Sequence, residues 1–192
     1  MSNRHPHWIL SILTLALFCA GCTTSTAVDR AAQSRGQSPR YDGVSQRKSP
    51  PANFAGRVVA VEDGDTIVVL DDAKGSYKIR LQGIDAPEGG QAFGDRSGQS
   101  LSELISGKQV EIEWSKRDRY RRLVGKVLSD GSDICLQQIR AGMAWHYKHY
   151  QNEQSVEDRE LYANAENEAR TERLGLWSDE NPLPPWQFRH GH

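Results

Sequence analysis

Asp63, Asp65, Arg80, Asp85 and Glu88 fall within one stretch, VEDGDTIVVLDDAKGSYKIRLQGIDAPE, at residues 61–88. Asp63 and Asp65 flank Gly64 at the start of one apolar run, while Asp85 and Glu88 follow the end of a second run that carries Arg80. Carboxylates are hard oxygen ligands suited to a cation such as calcium, and a guanidinium presents a rigid fork of donors to a phosphate. Together they are what hydrolysis of a phosphate ester needs. Each part also has a plainer reading. An Asp-Gly-Asp alone is more often a turn than a metal site. An arginine in an apolar strand could be neutralised by Asp85 or Glu88, because an unpaired charge there is costly.

The two acidic groups meet only if the runs between them are strands joined by tight turns. Residues 54–60, 66–70 and 77–81 read as strands, with turn signals at 62–65 and 71–75. Residues 109–114 and 123–128 read as two more. Residues 89–98 lead into a short helix through Leu101, Leu104 and Ile105 that stops at Gly107. Further helices are expected over 134–142 and 156–173. These elements predict an α+β chain dominated by β, a five-stranded Greek-key barrel of OB type with about three helices. Cys135, within Ile134-Cys135-Leu136, is expected as a buried small hydrophobe.

The first 52 of the 192 residues are unlike the rest. Residues 1–21 have the parts of a secretory signal: Arg4, His5 and His7, then an 11-residue apolar stretch at 8–18, then Cys19-Ala20-Gly21. That stretch is shorter than the ~20 residues needed to span a bilayer as a helix. Cys22 after Ala20-Gly21 resembles the cleavage box of bacterial lipoproteins, with Cys19 where leucine is usual. The expectation is an exported chain anchored in the cell envelope through lipid on Cys22. A plain cleaved secretory signal, giving a soluble secreted protein, and an uncleaved anchor are the alternatives. Residues 22–52 read as a disordered tether with a relaxed reach of roughly 30 Å. The domain is expected at 53–178, and 179–192 is read as a tail, either extended on the domain or disordered. With Cys19 and Cys22 so assigned, Cys135 has no disulfide partner, and no Cys/His zinc spacing is present.

The net charge of −1 hides an asymmetry, because residues 53–192 hold 18 basic and 23 acidic residues. An acidic body argues against extensive nucleic-acid binding. Positive charge is instead concentrated in Lys116-Arg117-Asp118-Arg119-Tyr120-Arg121-Arg122. A local basic site on an acidic body suits an enzyme that must release a polyanion. Tyr120, Tyr147 and Tyr150 are candidates to stack bases or line a pocket. Trp145 is expected in the core, and His146 and His149 at the surface.

Three motifs in order, Asp-Gly-Asp-Thr at 63–66, Arg-Leu-x-Gly-Ile-Asp-Ala-Pro-Glu at 80–88 and Asp-Arg-Tyr-x-Arg at 118–122, together with Gly142-Met143-Ala144-Trp145, resemble the staphylococcal nuclease-like, or thermonuclease, family over residues 54–177. The resemblance implies calcium-dependent hydrolysis of DNA and RNA at the 5′ side of the phosphodiester, leaving 3′-phosphate ends. It implies a calcium ion held by Asp65, Asp85 and the backbone carbonyl of Ala86, with Asp63 supporting through water. Glu88 would orient or deprotonate the attacking water, and Arg80 and Arg122 would grip the phosphate. Arg121 stands where the family commonly has glycine, so either Arg121 or Arg122 could face the substrate; spacing from Tyr120 favours Arg122. A monomer is expected. The alternatives are a noncatalytic OB-type module binding nucleic acid or protein, and an envelope lipoprotein whose calcium site is structural.

Overall fold

The computed structural model describes residues 50–191. The residues read from the sequence as a signal (1–21), Cys22, and the part of the expected tether up to residue 49 lie outside the described residues. Residues 50–52 already join the fold: the Trp114 indole N–H donates to the carbonyl of Pro51 at 2.7 Å, and the Trp114 amide donates to Ala52 at 3.1 Å.

In chain order the strands are β1 (Asn53–Val61), β2 (Thr66–Leu70), β3 (Ser76–Leu81), β4 (Ile84–Asp85), β5 (Gln109–Arg117), β6 (Leu123–Ser129), β7 (Ser132–Asp133) and β8 (Trp145–His146). The helices are α1 (Gly94–Ile105), α2 (Ile134–Arg140), α3 (Val156–Thr171) and α4 (Pro185–Phe188), with 3-10 turns at Lys148–Glu153 and Gly175–Ser178. β1 pairs antiparallel with β2 and β5, β2 with β3, and β5 with β6. A parallel pairing of β3 with β6, with Arg80 opposite Val124, closes the five strands into a barrel. β7 extends β6 as a sixth strand, and β4 pairs with β8 as a separate ribbon.

Alternation explains the barrel. On β6 buried and half-buried residues alternate along its whole length, so one face fills the interior. Ile67, Val69, Ile79, Leu81, Val110, Ile112, Leu123 and Val127 form that interior, joined by Leu101 and Ile105 of α1 and Ile139 of α2. Each such side chain contributes ~1.5–3 kcal/mol by leaving water. Helix caps follow local chemistry: Asp133 accepts from the Leu136 amide at 3.1 Å and Ser155 from the Asp158 amide at 3.0 Å.

A second apolar cluster holds Trp145, Ala169, Leu176 and Trp177, with Phe93 and Trp186 against it. The Arg170 guanidinium lies 3.7 Å from the Trp177 ring centre and 4.9 Å from that of Trp145. Trp145 is thus buried, as is Cys135, whose thiol is pushed up to about 12 by burial and then by the charge of Asp133. His146 corrects the sequence expectation. It is buried, not at the surface, because β8 pairs with β4 and the imidazole lies against Gln154 at 3.0 Å. His149 is exposed. Among the described residues no helix is long and apolar enough to cross a membrane.

Candidate active site

The turn between β1 and β2 positions the first two carboxylates. Asp63 accepts a 2.9 Å hydrogen bond from the Asp65 amide, folding the turn on itself. Gly64 is required between them, since a Cβ there would lie 1.8 Å from Ser97 Oγ and 2.7 Å from Ala86 Cβ. Asp65 is 6% exposed. Its Oδ1 accepts from the Thr66 hydroxyl at 3.0 Å and its Oδ2 from the Ala86 amide at 2.9 Å, which ties the first turn to the second acidic group.

Asp85 lies on β4 and is 1% exposed. Arg80, on β3, reaches both aspartates with one nitrogen: Nη2 is 2.9 Å from Asp65 Oδ2 and 2.9 Å from Asp85 Oδ1. Its Nη1 donates to the carbonyls of Leu81 and Ile84, at 2.7 and 2.9 Å, so the fork cannot swing freely. The ion pair with Asp85 considered for Arg80 therefore exists, and it sits inside the acidic cluster. Burial, then the charge of Asp65, pushes the Asp63 carboxyl up to about 6. Burial also raises Asp85, opposed by hydrogen bonding from Arg189 and the charge of Arg80.

The basic run forms the facing wall. Asp118 accepts from the amides of Tyr120 and Arg122, each at 2.9 Å, and its Oδ2 accepts from Arg122 Nε at 2.7 Å. Burial alone would raise the Asp118 carboxyl, but the hydrogen bonds from Arg122 hold it below its usual value. Arg122 Nη1 reaches the Thr66 hydroxyl at 3.3 Å, so Thr66 links Arg122 to Asp65. Arg121 takes a left-handed backbone, φ 66°, which explains why glycine suits this place. Its side chain is exposed and lies outside the cleft lining.

One cleft of about 670 Å³ joins these walls, lined by Asp63, Asp65, Arg80, Asp85, Ala86 and Glu88 on one side and Tyr120 and Arg122 on the other. Tyr147 and Tyr150 also line it, ring centres 5.3 Å apart, with Lys116 Nζ 4.9 Å from the Tyr150 centre. Tyr120 is 63% exposed and packs against Arg119 and Arg122. The donor set suits a hard cation: two buried aspartates within reach of one nitrogen, flanked by Asp63 and Glu88. Among the described residues no three His, Cys, Asp or Glu side chains form a cage by themselves, so a cation here would draw further oxygens from backbone and water.

Among the lining residues not singled out from the sequence, one bonds directly to the acidic groups. Arg189, just beyond α4, donates from Nη2 to Asp85 Oδ2 at 2.7 Å and from Nη1 to Asp85 Oδ1 at 3.2 Å, and it also pairs with Glu88. No periodicity or motif marks it, since it lies 101 residues beyond Glu88.

A model of the family described as "Staphylococcal nuclease homologue" matches residues 78–179, from β3 through the second 3-10 turn. A protein of Escherichia coli O157:H7 described as an "Uncharacterized endonuclease" is 43% identical over 140 residues, covering 72% of this chain and 87% of that protein. The "Micrococcal nuclease" of Shigella flexneri is 42% identical over 147 residues, 72% of this chain and 82% of its own. The "Staphylococcal-like nuclease CAN1" of Arabidopsis thaliana is 36% identical over 113 residues, 59% of this chain and 33% of its own. With the closed five-stranded barrel and the acidic–arginine cleft, these matches establish that the chain belongs to the staphylococcal nuclease family.

Proposed function

We propose that this chain is a calcium-dependent nuclease that hydrolyses phosphodiesters of DNA and RNA and leaves 3′-phosphate ends. The observation that carries the reading is the meeting of Asp65, Asp85 and Arg80 around one guanidinium nitrogen, across a cleft from Arg122. Asp65, Asp85 and the Ala86 carbonyl would hold calcium, with Asp63 supporting through water. Bound calcium supplies positive charge against a phosphate oxygen.

The chain's own residues do the rest. Glu88, half-buried at the cleft edge, takes a proton from the attacking water. Arg122 donates hydrogen bonds to the phosphate oxygens, on which charge gathers in the transition state. Arg80, whose Nη1 and Nη2 are already held by the Leu81 and Ile84 carbonyls and by Asp65 and Asp85, adds positive charge beside them. Tyr120, Tyr147 and Tyr150 offer faces for bases or sugars. Arg121, pointing outside the cleft, would meet only the longer polyanion. Lys116, Arg117 and Arg119 line the cleft and steer the strand in, while the acidic body favours release. The chain is further proposed to act as a monomer, exported and anchored through lipid on Cys22.

Incubation of the purified protein with single-stranded DNA and RNA, with calcium or with chelator, tests this. Calcium-dependent cleavage with ends that need phosphatase before a polymerase extends them is expected; a folded protein inert on both substrates overturns the reading. Incorporation of labelled palmitate, lost in Cys22→Ser, tests the anchor.

A further inference from the structure

Beyond the second 3-10 turn the chain returns to the cleft. Trp186 of α4 stacks on Tyr147, centres 5.5 Å apart and planes 21° from parallel, and meets Trp145 edge-on at 5.4 Å. Gln91 ties the segment to the acidic loop: its Oε1 accepts from the Glu88 amide at 3.0 Å and its Nε2 donates to the Leu183 carbonyl. These contacts place Arg189 over the carboxylates. Its fork spans both oxygens of Asp85, and the same guanidinium pairs with Glu88.

We infer that residues 182–191 form a self-capping latch, in which Arg189 is a tethered cation competing with the divalent cation for Asp85 and with water for Glu88. The inference rests on the calcium-dependent reading above. With the latch closed, one side chain pairs with Glu88 and adds a second cation to Asp85, which Arg80 also holds, and the Tyr147 face is covered by Trp186. Opening releases Glu88 and the Tyr147 face together and leaves Asp85 with Arg80 as its one cationic partner among the described residues. The Arg189 side chain is 39% exposed, so solvent weakens the pair and the closed state is favoured modestly, by about tenfold. Apparent cation affinity then falls by the same factor, and by linkage the cation loosens the segment.

Two substitutions separate the latch from a simple charge effect. Arg189→Ala removes charge and contact; Trp186→Ala removes the anchor but keeps the charge. In the metal-free full chain, both are expected to speed amide hydrogen exchange across 182–191, and unaltered exchange in both overturns the latch whatever calcium does. In calcium titration calorimetry, Arg189→Ala is expected to tighten binding about tenfold and Trp186→Ala several-fold. Tightening in Arg189→Ala alone assigns the effect to fixed charge and overturns the latch. Faster exchange in proteins that bind no calcium overturns the competition together with the calcium reading, while leaving the tail contact standing.

Discussion

Gln138 of α2, fully buried, donates a 2.9 Å hydrogen bond to the carbonyl of Gly64, a residue 74 positions earlier that separates the two aspartates of the first turn. The same amide donates to the Ser97 carbonyl at 3.1 Å, and its oxygen accepts from the Ser100 hydroxyl at 2.7 Å. The acidic turn is therefore fixed from beneath by a residue that cannot touch substrate. Gln138→Leu leaves buried carbonyls unpaired and is expected to cost ~1–3 kcal/mol of stability in denaturant unfolding. Cleavage by the folded fraction should also fall, because Asp65 loses its alignment. Unchanged stability and rate would show that the turn holds itself.

Arg122 is expected to be more sensitive to geometry than to charge. Arg122→Lys keeps the cation but loses the fork, and should lower the single-turnover cleavage rate about 10²–10³-fold. Its pair with Asp118 is partly exposed, so unfolding free energy should change by less than about 1 kcal/mol. Asp118→Asn, which releases Arg122 Nε, should produce a smaller loss in the same assay. A lysine variant at full rate would remove Arg122 from the phosphate.

Glu88→Gln preserves size and leaves the barrel untouched, so circular dichroism should be unaltered. As a lost general base it should slow cleavage at least ~10²-fold with near-normal substrate affinity. Weakened binding at normal rate would instead place Glu88 in substrate contact.

His146 gives a pH dependence. Burial lowers its imidazole below the ordinary 6.5, opposed by hydrogen bonding from Gln154 and the charge of Glu166, with Lys148 adding to the lowering. The unfolded chain then binds the proton more readily than the folded one, so stability is full above pH 6.5 and declines as the pH falls below it. His146→Gln should flatten the drop in Tm between about pH 7.5 and 5.5. An equal drop in the variant would assign the acid sensitivity to other groups.

The barrel was readable because each of its five strands is long enough to show alternation or a β-branched run, and the turn chemistry between them is local. The cluster of Asp65, Arg80 and Asp85 was readable for the same reason: a single hairpin brings its parts together. The ribbon of β4 and β8 was not, since two residues make no period, and the burial of His146 depends on that ribbon. Arg189 and Trp186 lie in a Pro-rich segment whose position is set by stacking on Tyr147. Such packing leaves no trace in spacing. Arg121 shows the reverse case, where an arginine keeps the backbone angle that a glycine would take.

The parallel pairing of β3 with β6 has a consequence for when the site exists. Arg80 lies within the pairing, opposite Val124, and Arg122 immediately precedes the partner strand. The two guanidiniums therefore acquire a common orientation only when this long-range contact forms, one whose loop-closure entropy makes it intrinsically slow. A chain that has formed its local hairpins carries every residue of the site and still has no site. The phosphate recognition proposed for Arg80 and Arg122 would thus be a readout of completed folding, and a refolding time course followed by cleavage should lag one followed by early secondary structure.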